Sequence, residues 1–260
     1  MKNILAMTES PDYIQVITWV SPKCSCISQS YTKLTFVLKN DGPEGHYIGN
    51  LWYEQNNDTL PYRYANAIEW PHSGWQPLIA SFITAWKAGK LASEMEPPAG
   101  TPAVGALWYK TILQSSVCPA SANADTLISS YSLPPDGFDT GTDELNYAVV
   151  LEAGASGYSL QAWSNGVALT PVDLVPGLNY GSFTGVQAGY QRMELYYNGA
   201  VVLAASGGRC ISAGCPDCIY NMNPQVVPLV EDTGAVGACP YAICAKQVFA
   251  HYMVRVNEYS

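Results

Sequence analysis

Two hydrophobic textures divide the chain. Residues 13–19, YIQVITW, form a dense β-branched and aromatic run that predicts a buried strand. Residues 40–74 gather Gly, Asn, Asp and Pro in clusters and read as loop. From Ser73 to Gly89, SGWQPLIASFITAWKAG has helical spacing: Trp75, Leu78, Ile79, Phe82, Ile83 and Trp86 fall on one stripe. Lys87 stands in the last turn and Gly89 marks the stop. A strand, a long loop and an amphipathic helix make one strand-helix unit, as at the end of a parallel (β/α)8 barrel.

After Leu91 the period changes. EPPAGTP at 96–102 reads as a linker, and VGALWY at 104–109 as a short strand. YSLQAW and VALTPV flank Asn165-Gly166, and MELYY and AVVLAA flank Asn198-Gly199. Asn-Gly between two apolar runs favours a two-residue turn with positive φ at both positions, so two hairpins are expected. LNYAVVLEA and LNYGSFTGV bring the count to about six strands, with the turn spacing of a sandwich. The expected fold is mainly β. Residues 1–95 form the last strand-helix unit of a barrel, and residues 96–260 a C-terminal β-sandwich.

Composition narrows the setting. Of 260 residues, 48% are hydrophobic and only 13% charged, with 18 Tyr and 7 Trp. That balance suits an extracellular β-rich protein better than a cytosolic α/β enzyme. The net charge of -9 offers nothing to neutralise phosphates, which argues against nucleic acid and fits a neutral polymer. Eight cysteines point to an oxidising compartment, and Asn57-Asp58-Thr59 is a glycosylation acceptor triplet, so secretion is expected. MKNILAMTES lacks a secretory core, so no signal peptide is visible, and no apolar run has the length of a membrane span. The expectation is a chain that begins inside a longer protein. Cys210, Cys215, Cys218, Cys239 and Cys244 have spacings open to zinc, but disulfides suit a secreted β-domain better. Cys239 with Cys244, and Cys210 with Cys215 or Cys218, is one possible set; connectivity stays open. No cofactor is expected and no metal is assigned.

The chemistry-bearing phrase is split. Thr18-Trp19 and Asn40-Asp41-Gly42-Pro43-Glu44-Gly45-His46-Tyr47-Ile48-Gly49 read as one motif interrupted by residues 20–39. Joined, the two halves resemble the TWNDYGESHYIG phrase of glycoside hydrolase family 71, the fungal endo-1,3-α-glucanases or mutanases. Gly42, Pro43 and Gly45 depart from it. The resemblance continues through WPHSGWQPLIASFITAWKAGK, ALWYK, DLVPGLNYGSF and CPDCIYNMNP, in the family's order. Residues 20–39 match nothing in that family and are expected to be a retained intron; the bland reading is a surface insertion.

What the resemblance implies is hydrolysis of α-1,3-glucosidic bonds in cell-wall glucan, with the polysaccharide as partner. The 260 residues alone are expected to be inactive. Glycoside hydrolysis needs one carboxylic acid to protonate the leaving oxygen and one carboxylate to activate water or attack carbon. Asp41 and Glu44 are the candidates for that work. Trp19 and Tyr47 are candidates to stack on pyranose faces, and His46 to bind a hydroxyl or orient a carboxylate. For Asp41, sugar binding or support of its loop is the favoured alternative to acid-base work, with the family's principal acid pair then on earlier strands, and His46 as a structural side chain is the bland one. His72 with Ser73 borders a possible cleft rim, although capping of the helix by Ser73 fits better. A second functional class, a β-sandwich that binds carbohydrate or packs on a barrel without catalysis, remains open.

Overall fold

The computed structural model describes residues 71–117, 142–214, 224–234 and Cys239, with short strands at 15–16, 37–38, 130–131 and 220–221. In chain order the strands are β1 (Gln15–Val16), β2 (Val37–Leu38), β3 (Ala103–Lys110), β4 (Ile112–Val117) and β5 (Ser130–Tyr131). Then come β6 (Leu145–Leu151), β7 (Tyr158–Ser164), β8 (Val167–Ala168), β9 (Val172–Asp173) and β10 (Gly177–Phe183). The last are β11 (Gln191–Tyr197), β12 (Ala200–Ala205), β13 (Ser212–Gly214), β14 (Tyr220–Asn221) and β15 (Pro224–Pro228). One α-helix, α1 (Gln76–Lys87), is described. The chain is mainly β, as its pattern predicts.

Two antiparallel sheets dominate. The first has the order β10-β6-β3-β15; the second runs β12-β11-β7-β8, with β9 also on β7. Both Asn-Gly turns form as expected: Asn165 and Asn198 have φ of 50° and 48°, and Gly166 and Gly199 have φ of 80° and 82°. Asn tolerates the left-handed region because its side chain is short and polar, and Gly because it has no Cβ. VALTPV does not form one strand. It divides into β8 and β9, both on β7, with Pro171 between them. Proline has no N–H to give the ladder, so the strand breaks there.

One core lies between the sheets. Leu107, Tyr109, Leu145, Tyr147, Val149 and Leu151 of the first sheet cluster with Tyr158, Leu160, Ala162, Met193, Leu195 and Ala205 of the second. The alternate residues of the first sheet, Val104, Ala106, Ala148, Val150 and Val226, form a second cluster with Trp75, Leu78, Ile79 and Ala85 of the helical segment. Phe82, Ile83 and Trp86 are only partly buried, at the edge of that cluster. The helical stripe read from sequence therefore lies on the first sheet's outer face.

The helix ends differ from expectation at one end. Gly89, at φ 67°, follows the last turn as predicted. At the start, Ser73 makes no side-chain cap bond; a 3-10 turn over Ser73–Trp75 leads into α1 instead. His72 is buried, its ring centroid 5.1 Å from that of Trp75, so it contributes to packing rather than to an open rim. Trp75 in turn meets Trp108 edge to face at 6.0 Å.

The cysteine pairing also differs. Cys210 is bonded to Cys239, with Cα atoms 4.8 Å apart, rather than to Cys215 or Cys218. Local spacing misleads here because the sheets bring the ends of a 29-residue separation together. Ala204 and Val230 exchange both backbone hydrogen bonds, carrying the segment after β15 from the first sheet onto β12 of the second.

Candidate functional site

Trp19, Asp41, Glu44, His46 and Tyr47 all lie outside the described residues. The strands that lead towards them are described. β1 and β2 pair in parallel, Gln15 opposite Val37 and Val16 opposite Leu38. β2 also falls within residues 20–39, so that stretch contributes a strand residue pair.

Among the described residues, the densest set of titratable and aromatic side chains sits on the outer face of the second sheet. β7 alternates strictly between buried and half-buried positions, and β11 does so from Gln191 to Tyr196. Their register sets Trp163 opposite Arg192, Gln161 opposite Glu194 and Ser159 opposite Tyr196. These six residues therefore share one face, away from the core. Trp163 and Tyr196, which base rates of burial assign to the core, belong to it. Tyr158 is buried, while Tyr197 is 43% exposed and stacks on Tyr158 with centroids 4.7 Å apart.

Glu194 is the hub. Trp163 Nε1 donates to its Oε2 at 2.9 Å, Tyr196 Oη to the same oxygen at 2.6 Å, and Arg192 Nε to Oε1 at 2.7 Å. Arg192 Nη2 also donates to Asp232 Oδ2 at 2.6 Å, and the Gly234 N–H donates to Asp232 Oδ1 at 2.9 Å. Gln161 Nε2 donates to the carbonyls of Ala162 and Leu169, fixing its amide beside the cluster.

These contacts determine protonation. Burial disfavours the charged form of Glu194, but the bonds from Tyr196, Arg192 and Trp163 outweigh it and hold the carboxyl below its ordinary range. Arg192 and the Gly234 N–H lower Asp232 as well. The bond to Glu194, helped by burial, pushes the Tyr196 phenol up to about 12. Arg192 is driven further into its charged form, foremost by Asp232. Both carboxyls are therefore ionised at neutral pH. Neither holds the proton a leaving glycosidic oxygen requires, so this cluster lacks half of a hydrolytic pair. It is suited to holding shape and accepting hydrogen bonds.

Sequence reading missed Glu194, Arg192, Gln161 and Asp232. The period-2 alternation of YSLQAWS and QRMELYY carries the signal for the first three, once the hairpin turns fix strand positions. Asp232 enters through the segment after β15, which no local pattern announces. Among the described residues no group of three or more His, Cys, Asp and Glu could hold a metal ion, and no helix is long and apolar enough to cross a membrane.

Comparison with known proteins assigns the chain. The profile of glycosyl hydrolase family 71 matches residues 27–237. The match opens inside the 20–39 stretch, so residues 27–39, set outside the resemblance by sequence reading, fall within the matched range. A mutanase of Penicillium rubens is 27% identical over 221 residues, which cover 83% of this chain. The aligned region spans 39% of that relative's length. No solved structure matches the chain. With most of its length inside the family match, the chain belongs to glycosyl hydrolase family 71.

Proposed function

We propose that the chain carries part of a secreted hydrolase of α-1,3-glucan. The family match over residues 27–237 and the likeness to a mutanase carry this reading. Residues 1–95 supply the last strand-helix unit of a (β/α)8 barrel, and residues 96–260 a β-sandwich that packs beside it. Asp41 and Glu44 act at the strand's carboxyl end, where barrel enzymes place their catalytic loops. One carboxyl protonates the leaving oxygen while the other activates water, giving inversion. Trp19 and Tyr47 stack on glucosyl rings and His46 holds a hydroxyl.

The parallel pairing of β1 and β2 supports this arrangement. Parallel strands run out at the same end of their sheet. In the sequence Trp19 follows Val16 by three positions and Asp41 follows Leu38 by three.

One strand-helix unit does not close a barrel. The 260-residue chain by itself is therefore expected to release no reducing sugar from insoluble α-1,3-glucan. A form that includes the remaining strand-helix units is expected to release it, and to lose about 100-fold or more in rate with Asp41→Asn or Glu44→Gln, the scale of losing a general acid or base. Turnover by the 260-residue chain overturns the division of labour. No turnover by the extended form overturns the hydrolase reading.

A further inference from the structure

The outer face of the second sheet is built as a binding surface, and we propose that it holds a stretch of neutral α-linked glucan apart from the hydrolytic site. This proposal takes its ligand class from the α-glucan reading above.

Three observations carry it. The first is the pinning of two rings. Trp163 Nε1 and Tyr196 Oη donate to one oxygen, Glu194 Oε2, so the polar edges of both rings are committed inward and fixed. What each ring has left to offer is its apolar surface, held in place before a ligand arrives. Two half-buried aromatic rings locked by a shared acceptor lose little entropy on binding.

The second is charge. Arg192 spends its guanidinium on Glu194 and Asp232, both of which it holds ionised. Two carboxylates against one guanidinium, with a third carboxylate, exposed Asp173, opposite Ser159, leave the face with a negative balance. An anion is disfavoured there, and at the two rings Glu194 and Asp232 already share Arg192 as a partner 2.6–2.7 Å away. The face fits an uncharged ligand.

The third is acceptor capacity. An ionised carboxylate has about four lone-pair sites. Glu194 uses three for the bonds described, and Asp232 two. Acceptor sites of this kind, beside apolar ring surfaces, suit hydroxyl donors on a ring whose C–H face is apolar. A pyranose combines those features. The array spans three alternate positions on each of two strands, about 13 Å from Ser159 to Trp163, room for more than one sugar ring.

The test is co-sedimentation of the 260-residue chain with insoluble α-1,3-glucan, using cellulose as the comparison polymer. The wild type is expected in the α-glucan pellet and not with cellulose. Trp163→Ala and Tyr196→Ala should each weaken binding about tenfold, the loss seen when a central aromatic contact is truncated. Ser159→Lys, at a half-buried position of the face opposite exposed Asp173, should block binding with the melting temperature unchanged. It decides the matter if the ring variants unfold. No α-glucan binding by the wild type, equal binding to cellulose, or full binding by Ser159→Lys overturns the proposal. Hydrolysis is measured separately on the extended form. Turnover there without face-dependent binding sinks this proposal alone; face-dependent binding without turnover sinks the hydrolase reading alone.

Discussion

The two sheets meet in one core, yet their outer faces follow opposite rules. The first is apolar on both sides: β6 is buried at six of seven positions and β3 at six of eight. The second alternates: β7 is buried at every other residue, and its remaining positions carry Ser, Gln and Trp. The cause is what lies outside. Helix α1 covers the first sheet, so Ala148 and Val150 are as enclosed as Val149 and Leu151. Nothing comparable among the described elements covers β7 and β11. An antiparallel strand is expected to alternate when one face meets water. A continuous apolar run in such a strand therefore signals a second layer, and here that layer is the helix from the preceding segment.

The sharpest way to break the contrast is to place one charge on each outer face. Val150→Lys puts an ammonium between sheet and helix, at a site with 0% exposure. Its buried neighbours there, Trp75, Leu78, Ile79, Met95 and Val226 among them, are apolar. The expected loss is more than about 3 kcal/mol, enough to abolish cooperative unfolding in a marginal chain. Ser159→Lys, at the matching alternate position of β7, should change stability by less than about 0.5 kcal/mol. Urea titrations of the two variants check this. Equal losses would mean that the second sheet is also covered.

A smaller change should act in the opposite direction. Ser81 is buried in the helix-sheet layer and its Oγ has no hydrogen-bond partner. Ser81→Ala removes an unsatisfied hydroxyl and gains helix propensity, so a stabilisation of about 1 kcal/mol is expected. Thermal unfolding reads it as a rise in midpoint. A fall would show that the hydroxyl has a partner in solution.

Legibility in the sequence followed the reach of each signal. The Asn-Gly hairpins and the Gly89 stop depend on a few adjacent residues, and they form as read. The helix stripe was visible, but not the surface it covers. The run of β-branched and small residues in LNYAVVL could have pointed to a doubly buried strand. The Cys210–Cys239 bond and the Asp232–Arg192 pair were invisible, because they depend on how separate strands are brought together. Residue type alone assigns Trp163 and Tyr196 to the core. Reading them in register with Arg192 and Glu194 would have placed them on the outer face. For Asp41 and Glu44 the reading rested on family likeness, and their positions lie outside the described residues.

The contrast also predicts how each sheet responds to acid. β3, β6, β10 and β15 contain no Asp or Glu, so the strands of the first sheet have nothing to titrate below neutrality. Burial pushes its Tyr109 and Tyr147 upward, out of that range as well. The second sheet has Glu194, with Asp232 docked on it, both held below their ordinary values of 4.5 and 3.8. A depressed folded pKa means that the ionised form is favoured by folding. Its contribution is complete above the unfolded value, near pH 4.5 for Glu194, and fades as pH falls through the folded one. Tyr196 works with the opposite sign: raised from 10.0 to about 12, its contribution is complete below pH 10 and fades as pH rises towards 12. Glu194→Gln keeps the side-chain shape and one acceptor oxygen but removes the titration. The variant's melting temperature should fall less than the wild type's between pH 6 and pH 3. For a cluster at the surface the difference corresponds to about 1 kcal/mol or less. Parallel acid limbs for variant and wild type would place the acid sensitivity elsewhere and leave the Glu194 cluster without a measurable share in stability.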